Sequence, residues 1–286
     1  MYPAAFDYHR PSLVEEVVQI LSDNPEAKII AGGHSLLPAM KLRLAAPGAL
    51  VDLAGVSGLT GITVNGGASI GAMTTYTEAM NNSDLANSFA ALHQAASAVG
   101  DVQVRNLGTI GGSAAHADPA ADATAALVAH NAEFVVQGPN GERTISADDF
   151  FIDLFTTALE PEEVLVKINL PAPADNTSSA YAKFAHPASG YPVCGVAAVV
   201  TRDGSGSVTS ARVVATGSTL KPTRLTGVED AITGTSGDAD AVAAAAENAS
   251  EGVSEWAGDH YASSEYREHL TKVFAKRALN SALGNG

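Results

Sequence analysis

"AKIIAGGHSLLPAMKL", residues 27–42, runs from a short apolar strand across two glycines into an apolar helix. Glycine takes positive φ without steric cost and lets another group approach the main chain. "AGGHS" therefore offers successive N–H groups at a helix start, where the dipole also favours an anion. The residues leave two readings open: a phosphate cradle, or an ordinary strand-to-helix turn capped by His34 or Ser35.

A second segment of the same kind lies downstream. "GTIGGSAAHADPAAD", residues 108–122, sets paired glycines among the hydroxyls of Thr109 and Ser113 in a loop ahead of the helix "ATAALVAHNA". Two such loops hold a pyrophosphate from both sides with N–H and hydroxyl donors and need no lysine. Asp122 falls where a carboxylate accepts from ribose hydroxyls. No G-K-[ST] and no G-x-G-x-x-G occurs in either loop, which excludes the Walker and Rossmann solutions.

Outward from these loops, an amphipathic helix is expected over residues 12–22, with Leu13, Val17, Ile20 and Leu21 on one face. "GITVNGGASIGAM" turns at "NGG" as a hairpin, and "EFVVQGPNGERTI" is another. Residues 85–100 read as one buried helix stopped by glycine, and "EVLVKINLP" as a strand. The pattern is α+β rather than a regular βαβ repeat. Near Leu170 the polar, proline-bearing "PAPADNTSSA" reads as a linker, dividing residues 1–175 from 176–286. The second part reads as a meander of strands with helices on one face, a smaller α+β domain.

Composition narrows the function. The chain has 286 residues, 46% of them apolar, enough for a substantial core. A net charge of -15, from 16 Lys+Arg against 31 Asp+Glu, excludes a nucleic-acid partner. No run approaches the roughly 18 apolar residues of a membrane span, and the N-terminus lacks a signal pattern, so a cytoplasmic protein is expected. The lone Cys194 forms no internal disulfide and by itself holds neither an iron–sulfur cluster nor zinc; it reads as a small buried residue. His93, His116 and His130 lack metal-like spacing. No nucleophile triad or metal set emerges, so no catalytic residue is assigned.

"FDYHRP", "AGGHSLLPAMKLRLA", "LVDLAGV", "IGAMTT", "VRNLGTIGGS", "HADPAAD" and "AYAKF" together resemble the FAD-binding medium subunit of the molybdenum hydroxylases, most of all the carbon monoxide type. The resemblance runs in order along almost the whole chain. It implies a two-part FAD-binding domain of the vanillyl-alcohol-oxidase type, then a small C-terminal α+β domain. It implies noncovalent FAD and an electron-transfer role in carbon monoxide oxidation, with no substrate-converting site in this chain. The implied partners are a molybdopterin-containing large subunit and a [2Fe–2S] small subunit, assembled as a dimer of heterotrimers. An external acceptor follows, quinone before NAD, at the inner face of the membrane.

The resemblance also assigns cofactor contacts. Ala31, Gly32, Gly33, His34 and Ser35 match the first phosphate loop; Thr109, Ile110, Gly111, Gly112 and Ser113 match the second, where Ser113 replaces a frequent asparagine. Asp122 matches a carboxylate near the adenosine ribose, Leu159 a residue beside the flavin ring, Lys183 a cation near it, and Tyr191 an aromatic covering one face. Thr74 and Thr75 contact the cofactor or cap a helix. "GGHS" also resembles the loop of berberine-bridge-type oxidases, in which the histidine is a covalent flavin anchor. A self-contained covalent oxidase, or a medium subunit serving an aldehyde or N-heterocycle, are the alternatives.

Overall fold

The computed structural model describes residues 2–285. β1 (Asp7–His9), α1 (Val14–Asp23), β2 (Ala27–Ile30), α2 (Leu36–Lys41) and β3 (Ala49–Asp52) come first. β3 lies between β1 and β2 and parallel to both, so the chain opens as a small parallel βαβ unit. The helix expected from residue 12 begins at Val14, because Glu16 folds back to accept from the N–H groups of Ser12 and Leu13.

β4 (Ile62–Asn65) and β5 (Gly67–Gly71) form the first expected hairpin. Six helices follow: α3 (Tyr76–Met80), α4 (Ser83–Ser88), α5 (Ala90–Ala98), α6 (Val102–Leu107), α7 (Ile110–His116) and α8 (Asp122–Ala129). β6 (Glu133–Gly138) and β7 (Gly141–Ser146) are the second hairpin. After α9 (Ala147–Phe150) and the ribbon of β8 (Phe151–Asp153) and β9 (Thr156–Thr157), β10 (Val164–Leu170) inserts between β5 and β6. The result is an antiparallel sheet ordered β4-β5-β10-β6-β7.

Two expectations change here. The single helix over residues 85–100 is broken at the buried Phe89, whose φ of -135° and ψ of 53° leave the helical region. The loop expected over residues 101–122 is largely helical. Asp101 caps α6 through the Gln103 N–H, and Thr109 caps α7 through the Gly112 N–H. Capping and packing override the poor helix propensity of paired glycines.

Strand alternation feeds two cores through one sheet. Phe134, Val136, Leu165 and Ile168 face α5, α7 and α8, whereas Val135, Val164 and Val166 face α1 and the parallel unit. The C-terminal part repeats the device. β11 (Thr177–Ala185), β12 (Pro192–Arg202), β13 (Val208–Thr216) and β14 (Thr223–Arg224) form an antiparallel sheet, followed by α10 (Thr226–Ile232), α11 (Ala239–Ala246) and α12 (Ser264–Leu283). Val196, Ala198 and Val200 pack towards α12; Ala197 and Val214 pack into the first core with α5 and α8. The sheet therefore has helices on both faces, not on one. That explains the unbroken apolar run of β12. Among the described residues, no helix is long and apolar enough to cross a membrane.

Candidate functional site

The question raised by Gly32 and Gly33 has two physical answers. Gly33 has φ of 73°, the left-handed region that suits glycine. Gly32 is bare for another reason: a Cβ there would run into the backbone of Leu107 and Gly108, the residues that lead into α7. The two glycine segments thus touch each other. Gly112 completes the contact, since a Cβ on it would lie 3.3 Å from the Ala31 Cβ.

The two segments differ in what they leave free. Among the described residues, the N–H groups of Gly32, Gly33, His34 and Ser35 have no acceptor. The Ser35 hydroxyl makes no cap bond, and His34 Nδ1 lies 2.8 Å from the Gly32 carbonyl oxygen. This segment is a run of uncommitted donors beside bare backbone. In the second segment the N–H groups of residues 110–113 are already used: Ile110 donates to Thr74 O at 2.9 Å and Gly111 to Ala72 O at 3.0 Å. Gly112 donates to Thr109 Oγ1 at 2.9 Å and Ser113 to Thr109 O at 3.0 Å. Among the described residues the second loop therefore keeps one free backbone donor over residues 109–113, that of Thr109, against four in residues 32–35. The second segment contributes a close-packed wall, with Ser113 beside the buried Tyr76, whose phenol burial pushes well up. Thr75 caps α3, and Thr74 exchanges hydrogen bonds with Gly61.

Asp122 opens α8, 6% exposed. Lys183 reaches it from β11, with Nζ 2.8 Å from Oδ1 and 2.9 Å from Oδ2, and donates also to the Ala98 carbonyl at the C-terminal end of α5 at 2.9 Å. Tyr181 donates its hydroxyl to Asp122 Oδ1 at 2.8 Å. Lys183 is thus no solvated surface lysine: it is buried, ion-paired and aimed at a helix C-terminus, where cations are favoured. Burial pushes the Asp122 carboxyl up, against the pull of Lys183 and Tyr181. Tyr181, not singled out in the sequence, shares a strand face with Lys183 by i,i+2 spacing, and that spacing is the signal that could have found it.

Tyr191 ends the turn between β11 and β12, 46% exposed, its carbonyl accepting from His186 at 2.7 Å. Partial burial, then the nearby carboxylates of Asp118 and Asp122, push its phenol up. Leu159 follows β9, which packs against α7, and is part-buried on the first core. Cys194 is buried beside Thr271 at 3.6 Å, and burial pushes its thiol up to about 11, which leaves it unreactive. His130 is buried against Phe89, and burial lowers it to about 4.

Residues 4–173 match the model of the FAD-binding domain in molybdopterin dehydrogenase, and residues 179–282 that of the CO dehydrogenase flavoprotein C-terminal domain. The chain belongs to this family. Its cofactor is FAD, and it is an oxidoreductase flavoprotein subunit of the molybdenum hydroxylases. Among its relatives is the carbon monoxide dehydrogenase medium chain of Hydrogenophaga pseudoflava, 38% identical over 99% of this chain and 98% of that one. The glyceraldehyde dehydrogenase medium chain of Sulfolobus acidocaldarius is 33% identical over 98% and 99%. A solved carbon monoxide dehydrogenase from Hydrogenophaga pseudoflava, lacking the Mo-pyranopterin moiety of its cofactor, superposes with a TM-score of 0.94 at 39% identity, covering 100% of this chain and 99% of that one. The site fits FAD on its own terms: uncommitted donors in residues 32–35 suit a pyrophosphate, and bare backbone lets it come close.

Proposed function

We propose that the chain is the electron-transfer subunit of a complex oxidising carbon monoxide, taking electrons from the [2Fe–2S] clusters of a small subunit fed by a molybdopterin-containing large subunit, as a dimer of heterotrimers. The acceptor is external, quinone in preference to NAD, at the inner face of the cytoplasmic membrane. The observation carrying the reading is the free N–H run of residues 32–35 pressed against the α6–α7 junction. The flavin supplies storage for two electrons that can be filled one at a time. The chain supplies position.

In this reading Ala31, Gly32, Gly33, His34 and Ser35 bind the pyrophosphate through N–H and hydroxyl donors. Thr109, Ile110, Gly111, Gly112 and Ser113 form the opposing wall. Asp122 accepts from ribose hydroxyls, Lys183 holds positive charge beside it, and Leu159 and Tyr191 flank the ring and exclude water. Residues 1–175 and 176–286 are the two domains; the separate apolar core around α12 supports that division. The carbon monoxide assignment rests on the 38% relative, and the 33% aldehyde relative is the competing substrate class.

With one cysteine the chain cannot bind a [2Fe–2S] cluster. Isolated holoprotein exposed to carbon monoxide should show no bleaching of its oxidised flavin band, and adding the two partner subunits should restore bleaching. Substrate-dependent bleaching by the chain alone would defeat the transfer role. Acid precipitation should release free FAD to the supernatant. Flavin retained on the precipitate would make His34 a covalent anchor.

A further inference from the structure

The strands of the C-terminal sheet align three residues side by side: Lys183 pairs Gly195, and Gly195 pairs Thr216. Neighbours across a sheet share a face. Two rows further along the same face stand Ser179, Val199 and Arg212, with the apolar row of Ala197 and Val214 between. The two outer rows grip helix ends. Lys183 bonds Asp122 and Ala98 O, and Ser179 Oγ accepts from Ala91 N at the start of α5 at 3.0 Å. Arg212 donates to Val128 O near the end of α8 at 3.0 Å. Thr216, fully buried, donates to Pro119 O at 2.6 Å and is 3.0 Å from Ala121 O.

The dimensions match. Four residues of strand separate the outer rows by about 13 Å, and the seven-residue step from Ala91 to Ala98 spans about 10 Å. The long side chain of Lys183 takes up the difference on α5, and Arg212 reaches α8 instead. Gly195 is bare because a Cβ there would strike the Tyr181 hydroxyl that bonds Asp122.

We infer that Thr216 is a positioning residue for FAD: from the C-terminal sheet it fixes the segment Asp118–Asp122, and through that segment aims the Asp122 carboxylate at the ribose. The inference rests on the ribose reading of Asp122 proposed above. Ala121 is the cap residue of α8 and has no side-chain cap bond of its own, so its placement depends on what holds its carbonyl. Among the described residues, no other C-terminal side chain reaches both carbonyls: the Thr216 hydroxyl donates to Pro119 O and stands within hydrogen-bond distance of Ala121 O. Each carbonyl keeps another donor without it: Gly217 N on Pro119 at 2.7 Å, and Thr124 Oγ1 on Ala121 at 2.9 Å. Removing the Thr216 hydroxyl therefore leaves neither carbonyl orphaned and loosens the segment without unfolding it.

The test uses the full chain, stripped of FAD and titrated with FAD, in the variants Thr216→Val, Thr216→Ala, Thr216→Ser and Asp122→Asn. Losing one hydrogen bond's worth of positioning should raise the Kd for FAD about five- to tenfold in Thr216→Val. Thr216→Ser should restore the wild-type Kd, and the unfolding midpoint of the FAD-free Thr216→Val chain should stay near wild type. Thr216→Ala removes the hydroxyl without isosteric packing and replaces valine if that variant does not fold. Wild-type Kd in Thr216→Val beside a raised Kd in Asp122→Asn overturns the inference and leaves the ribose reading standing. Wild-type Kd in Asp122→Asn overturns both. Kd and FAD-free midpoint worsening together in every Thr216 variant, serine included, shows a structural residue only and also overturns the inference.

Discussion

Gly111→Val should fail as a protein before it fails as a flavoprotein. A Cβ at Gly111 would lie 2.5 Å from Ala72 O and 2.6 Å from Ala72 Cα, and the Gly111 N–H is bonded to that same carbonyl. Backbone cannot step aside as a side chain can, so α7 must move off the end of β5. Overpacking of this kind costs about 1–3 kcal/mol or more. At about 2–4 °C per kcal/mol, the unfolding midpoint of the FAD-free chain should drop by about 2–12 °C, with flavin content falling alongside. Gly33→Ala is the contrast. Its new Cβ meets the Leu37 side chain, 3.0 Å away and free to turn, and the strain of φ near 73° is confined to the loop. Flavin content should fall there with a smaller drop in the FAD-free midpoint, since a strain of about 1–2 kcal/mol is not joined by a backbone clash. An unchanged midpoint in Gly111→Val would show that α7 is free to shift.

Lys183→Met should destabilise the FAD-free chain by about 3–5 kcal/mol at neutral pH, because it leaves the Asp122 carboxylate buried without its counter-ion. Lys183 and Asp122 are 8% and 6% exposed, so solvent gives little relief. The pH dependence has a definite sign. Burial already raises the Asp122 carboxyl, and removing the ammonium raises it further. A carboxyl raised in the folded state stabilises the fold when protonated, and that stability is lost as pH rises through its folded pKa. The gap between variant and wild type should therefore be small in acid and widen towards neutrality, as urea denaturation at several pH values would measure. A gap that is constant with pH would mean that Lys183 acts through packing or its bond to Ala98 O alone.

Much of the architecture was legible because its signals are local. The two hairpins follow from "NGG" and "PNG", which bend a chain regardless of surroundings. The start of α8 and the length of α12 follow from runs that contain no breaker. The helices α6 and α7 were not legible. "VQVRNLGTIGGSAAH" scores as loop by propensity, and only the cap bonds and the packing on Ala72 make it helical. The break at Phe89 was hidden likewise, since nothing in "LANSFAALHQ" marks one residue of a helix-favouring run for burial outside the helix.

The candidate site divides along the same line. The sequence by itself determined where the small residues lie, that a single cysteine cannot hold a [2Fe–2S] cluster, and, through its ordered motifs, the flavoprotein family. Only the tertiary structure decided which glycines keep donors free. Gly33 and Gly111 are the same residue type in similar strings, yet one has an unbonded N–H and the other is consumed by Ala72 O. It alone decided that Lys183 pairs with Asp122 across 61 residues and that Tyr181 joins them. The physical reason is range: φ preferences, caps and hairpin turns act over a few bonds, whereas a buried charge or a bare backbone has its meaning set by whatever the fold brings against it.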